Sequence, residues 1–181
     1  LSIESVGVYS PIQAFMDSIY ALELILIDLM NGITITSDMI KLNKQYKFYF
    51  ENNQAVIELK KQDHTIGNLI TDYMKRLTVD HIIDFENNKN KTLYKTNDAL
   101  LEIATYRIVH PLQHILRFKL KIQKTHENTY ASIYKDNTWN ESTQRKAPYI
   151  MIFYKTMQLI VTQLNELKTS FIVGQSQKME G

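Results

Sequence analysis

Apolar positions recur at helical spacing in three stretches of the chain and alternate at strand spacing between them. After Ser10-Pro11, residues Ile12, Phe15, Met16, Ile19, Leu22 and Leu26 share a helical period, and Asn31-Gly32 supplies a stop, so a helix is predicted over 11–30. Ser10 suits the cap, Pro11 the first helical position, and Gln13 stands where it can reach back to complete a capping box. Leu24, Ile25, Ile27 and Leu29 add apolar surface on the other sides, so this helix is expected to be buried on more than one face.

Residues 33–45 are polar and unpatterned and read as a connector. Two strands are predicted at 46–51 and 55–60, joined by a tight hairpin turn at Asn52-Asn53. A second helix follows, with Ile66, Leu69, Ile70, Tyr73, Met74 and Leu77 in period and Asp63 or Thr65 as cap. Gly67 weakens its first turn by roughly 1 kcal/mol relative to alanine, so close packing against that position is expected.

The clearest strand is 116–123, where Leu116, Phe118, Leu120 and Ile122 alternate with Arg117, Lys119, Lys121 and Gln123. Pro148 is read as opening a long helix with Ile150, Phe153, Tyr154, Met157, Ile160, Val161, Leu164, Leu167 and Phe171 on one stripe. Polar insertions are expected at 78–102 and 125–146, and a frayed tail at 175–181. The fold class is α+β: an antiparallel sheet with helices on one side and a separate, very apolar helix in front.

Composition narrows the chemistry more than the fold. The 181 residues carry a net charge of +2, too little to argue for a nucleic-acid or membrane partner. Without cysteine there is no disulfide, thiol nucleophile or thiolate metal site. The most apolar segment, 21–30, contains Glu23 and Asp28 and is too short to span a bilayer, which takes roughly 20 apolar residues. His64 stands at a strand-to-helix turn beside the capping Asp63, and Pro111 disrupts the spacing of His110 and His114 as a ligand pair. No catalytic, cofactor-binding or metal-ligating set is assigned. The row Arg117, Lys119, Lys121 and Lys124 reads as a solvated sheet face, with a free nucleic-acid-binding regulator using strand 117–124 as the alternative function. Tyr46, Phe48 and Phe50 alternate on one strand face and read as core rather than as a base-stacking platform.

Three blocks carry a family resemblance. Asp63-His64-Thr65-Ile66-Gly67-Asn68-Leu69-Ile70 resembles the signature helix of the small α-like subunits of cellular RNA polymerases, the archaeal L type and its eukaryotic equivalents. Tyr106-Arg107-Ile108-Val109-His110-Pro111-Leu112 is similar to that family's second block, and Glu166-Leu167-Lys168-Thr169-Ser170-Phe171 to its C-terminal helix. Upstream, Ile3-Glu4-Ser5-Val6-Gly7 and the apolar helix after it look like the closing strand and helix of the larger, archaeal D type subunit. That order resembles the fused α-like subunits of large cytoplasmic DNA viruses.

The resemblance implies a non-catalytic subunit of a DNA-directed RNA polymerase that pairs α-like modules and docks the two largest subunits during assembly. It implies no enzyme activity in this chain alone, no cofactor, no sequence-specific nucleic-acid contact and no membrane. The implied layout is a larger-half remnant at 1–32, a connector at 33–45, the small α-like domain at 46–174 and a tail at 175–181, within a longer fused polypeptide. Its assembly residues would be Ile66, Gly67, Leu69, Ile70, Tyr73, Met74, Phe153, Met157, Ile160 and Leu164, with Phe15, Ile19 and Leu22 from the larger half. The location would be host cytoplasm and virion if viral, the nucleus if cellular.

Overall fold

A computed structural model describes residues 10–36, 39–78, 99–109, 111–127 and 140–179, with side chains for all of these except 111 and 173–179. The strand expected at 3–7 and most of both expected insertions lie outside these residues, as does His110.

The sheet unit runs from Gly32 to Thr156. A small hairpin, β1 (Ile33–Ile35) with β2 (Ile40–Leu42), replaces the expected structureless connector at 33–45. Its three-residue strands are too short to show a period, and the pairing of Ile33 with Leu42 and Ile35 with Ile40 supplies the order. Four antiparallel strands form the main sheet: β3 (Tyr46–Glu51), β4 (Gln54–Lys60), β5 (Leu101–Ile108) and β6 (Ile115–Ile122), in the order β3-β4-β6-β5. The β3–β4 turn is as predicted, and both central residues, Asn52 and Asn53, take positive φ, the conformation a two-residue hairpin of matching twist requires.

Register divides the sheet into two faces. Phe48, Ile57, Phe118 and Tyr106 are cross-strand partners in one row, with Tyr46, Leu59, Leu116 and Ile108 in the next. Helix α2 (His64–Arg76) lies against β5 and β6 with Ile66, Ile70 and Met74 buried. Phe153, from helix α3 (Glu141–Met179), packs edge-on against Phe118 at 5.1 Å and against Tyr46 at 6.4 Å. Both helices therefore serve the apolar face, and the α+β plan holds.

Strand β5 was not foreseen as a strand. A bulge between Leu101 and Ile103 breaks the alternation, so Leu101 and Ala104 are both buried and the period-two pattern is lost.

Helix α3 begins at Glu141 rather than at Pro148. Asn140 provides the start, accepting from the Thr143 amide at 2.8 Å through Oδ1 while its carbonyl takes the Gln144 amide. Pro148 thus lies inside the helix, which continues to Met179 through the expected tail.

The helical unit comprises helix α1 (Pro11–Asn31) and the α3 residues from Met157 onward. The Ser10 hydroxyl caps α1 by accepting from the Gln13 amide at 3.1 Å. The Gln13 side chain does not reach back. It donates forward to Asp17 at 2.7 Å, so no capping box forms. Nor is α1 buried all round: Ile19, Glu23, Leu26 and Leu29 form one buried stripe, while Ile12, Tyr20 and Leu24 are 45%, 57% and 48% exposed. Burial on nearly all sides belongs instead to α3, where Ile150, Met151, Ile152, Phe153, Lys155 and Thr156 are all buried.

Candidate assembly surface

The family-like block at the start of α2 is built around one close approach. Asp63 caps the helix, accepting from the Thr65 amide at 2.9 Å and from the Ile66 amide at 3.4 Å. That orients the first turn so that Gly67 meets the ring of Tyr106 on β5, where a Cβ would overlap the ring edge. The same ring lies 6.0 Å from Phe118, and its hydroxyl is 3.0 Å from His64 Nδ1. His64 is thereby engaged by a tyrosine through Nδ1. Tyr106 belongs to the second family-like block, so the two blocks that read separately along the chain touch here. Sequence reasoning did not select Tyr106. The signal available was Gly67 itself, which required something large beside it.

This contact gives a measurable sign change. Gly67→Ala is expected to destabilise the chain, because displacing the ring outweighs the helix gain of about 1 kcal/mol. In a Tyr106→Ala background the same change should stabilise by about that amount. Urea titrations of the four proteins test it, and stabilisation by Gly67→Ala in both backgrounds would exclude the close contact.

In the helical unit, Phe15 and Phe171 stack with centroids 5.0 Å apart. Glu23, on the buried stripe of α1, accepts from Lys168 Nζ at 2.5 Å. The lysine's hydrogen bond holds the Glu23 carboxyl below its ordinary value against the opposing effect of burial, and Asn165 adds a second lowering hydrogen bond. The part-buried pair could have been anticipated, since Glu23 interrupts an apolar stripe and a carboxylate there needs a cation.

Among the residues expected to build a paired core, Ile66, Gly67, Ile70, Met74 and Phe153 are buried in the sheet unit, with Leu69 and Tyr73 half-buried. Ile19, Met157 and Ile160 are buried in the helical unit, with Phe15, Leu22 and Leu164 half-buried. Leu167, expected on the apolar stripe, is 45% exposed. It extends the list of outward apolar side chains already noted on α1.

The sheet's polar face is an ion-pair lattice. Arg117 donates to Glu58 through Nε at 2.9 Å and Nη2 at 2.6 Å, Lys119 to Glu51 at 2.5 Å, and Lys121 to Glu102 at 2.9 Å. Burial raises the Glu58 carboxyl, but hydrogen bonds from Arg117 and the Tyr49 hydroxyl outweigh it and leave the carboxyl below its ordinary value. Three of the four cations read from the sequence as a basic row, Arg117, Lys119 and Lys121, are each matched by a carboxylate.

A shallow groove of about 470 Å³ runs along α3, lined by Thr162, Asn165, Glu166, Thr169 and Ser170. Its lining has one carboxylate and no histidine, lysine or arginine. No three His, Asp or Glu side chains converge among the described residues, and no helix among them is long and apolar enough to cross a membrane. Compared with known proteins, the chain matches no family model and no curated sequence.

Proposed function

We propose that the chain is a non-catalytic assembly subunit of a multisubunit DNA-dependent RNA polymerase, pairing α-like modules and docking the two large catalytic subunits. The observation that carries this reading is the double-sided helix α1. One stripe is buried, and a second strip presents Tyr20 and Leu24, four residues apart, to the surface. Single exposed apolar residues are ordinary, but two neighbours on the same helical strip are suited to bury against a partner. The three family-like blocks support the same reading by their placement: the first opens α2, the second closes β5, and the third lies on α3.

The upstream helix α1 would then derive from the larger α-like half, joined to the smaller in one fused polypeptide of viral type. Fusion would make their pairing intramolecular and independent of concentration.

Affinity purification of the tagged chain from cells expressing the whole enzyme tests both parts. Recovery of the two largest polymerase subunits is expected, with the native polypeptide carrying this sequence about two domains long. Recovery of neither large subunit would overturn the assembly role. A native polypeptide no larger than this 21.3 kDa chain would overturn the fusion.

A further inference from the structure

The β5–β6 end of the sheet unit carries a surface to which the polymerase reading assigns no partner. On the polar face, Lys60, Ile115 and Val109 stand side by side. Lys60 is the cross-strand partner of Ile115, and the Val109 amide donates to the Ile115 carbonyl at 2.9 Å. Arg107 lies on the same face one step further in, opposite Arg117. Between the strands, a short 3-10 turn at Pro111–Gln113 presents Leu112, a residue 84% exposed, the highest exposure of any large apolar residue described. His114 closes the turn with positive φ, a conformation that fixes the direction in which the tip projects. Val109 is 38% exposed and Ile115 half-buried. The result is a small apolar patch on a shaped hairpin end.

Its surroundings are cationic. Lys60, Lys61 and Arg107 are exposed and make no ion pair among the described residues. The nearby carboxylates are already engaged: Glu58 by Arg117 and Tyr49, and Asp63 by the first turn of α2. An apolar tip bordered by these cations, with Asp63 committed to the helix cap and Glu58 to Arg117 among the described residues, selects for the converse surface. We propose that this hairpin end is a docking site for an acidic, leucine-bearing segment of a partner protein. An apolar side chain of the partner would cover Leu112 and Val109, with flanking carboxylates against Lys60 and Arg107.

Other anionic partners fit less well. Bases would need an aromatic platform, and Phe48, Tyr106 and Phe118 all lie on the helix-covered face. A bilayer surface would need a broader apolar area with interfacial aromatic anchors.

The test uses the whole 15N-labelled chain and a sixteen-residue probe peptide, roughly four helical turns, with leucine at every fourth position and aspartate or glutamate between. Amide shifts confined to residues 60–61, 107–109 and 112–115 are expected. Leu112→Ser and Arg107→Glu should each weaken binding about tenfold, a loss of about 1.4 kcal/mol. A lysine-for-acid version of the peptide should not bind. Absence of shifts at millimolar peptide, shifts elsewhere, or equal binding of the lysine version would overturn the site. So would a larger response at these residues to phosphatidylserine vesicles or polyuridylate than to the acidic peptide. Because the readout needs no polymerase subunit, its failure is distinguishable from failure of the assembly role.

Discussion

Phe118→Ala is expected to remove most of the stability of the sheet unit. The side chain is fully buried, lies between the rings of Phe153 and Tyr106, and has Ile57 as its cross-strand partner on β4. Truncating a buried phenylalanine costs about 3–5 kcal/mol, a large share of the roughly 5–15 kcal/mol that holds a domain folded. Loss of the edge-on contact with Phe153 adds to the cavity left behind. Phe118→Leu keeps most of the volume and should cost well under half as much. Urea unfolding followed by circular dichroism gives both values. A cost below about 1 kcal/mol for Phe118→Ala would show that the core is not centred where Phe118 and Phe153 meet.

The second large effect lies in the helical unit. Lys168→Met removes the cation from Glu23 while leaving the carboxylate on a mostly buried stripe, which is costlier than losing both charges. The expected loss at neutral pH is about 2 kcal/mol, in the range for hydrogen bonds to charged groups. Glu23→Leu with Lys168→Met should recover most of it, since α1 already buries Ile19, Leu26 and Leu29 on that stripe.

The pair also predicts a pH dependence. The folded-state pKa of Glu23 lies below its unfolded value, with the Lys168 hydrogen bond the largest cause. Its contribution is therefore complete above the unfolded carboxylate range and is lost as pH falls through the folded value. Wild type should lose this increment on acidification, and Lys168→Met should lose much less. Parallel acid-side slopes for the two proteins would exclude the linkage.

Legibility in the sequence followed the regularity of the local pattern. Strand β3 has the predicted bounds because the Asn52-Asn53 turn ends it, and β6 lies within a residue of them because it keeps period two without interruption. Helix α2 was readable from its apolar period and from the cap at Asp63. Errors arose where one residue overrode its surroundings. The Leu101/Ile103 bulge hid β5, and Pro148 drew the start of α3 seven residues too late, because tertiary burial outweighed its missing amide. All-round apolarity placed α1 in a buried setting, yet the sequence cannot say whether a second apolar face is covered by the same chain. The basic row on β6 was seen without the glutamates opposite, because cross-strand register is not a local property.

The junction of Thr78 with Ala99 has a consequence in chain statistics. These two residues form a bridge, and the Leu100 amide donates to the Leu77 carbonyl at 2.8 Å, with Leu77 and Leu100 both buried. Positions 78 and 99 are thus held together within the sheet unit, beside two buried leucines. For a path whose ends are already pinned together, doubling the number of links adds only about 0.6 kcal/mol of closure entropy. In closure entropy, the number of residues between positions 78 and 99 is therefore a small term in the stability of the sheet. Selection could change that number at little entropic cost while the strands on either side keep their register.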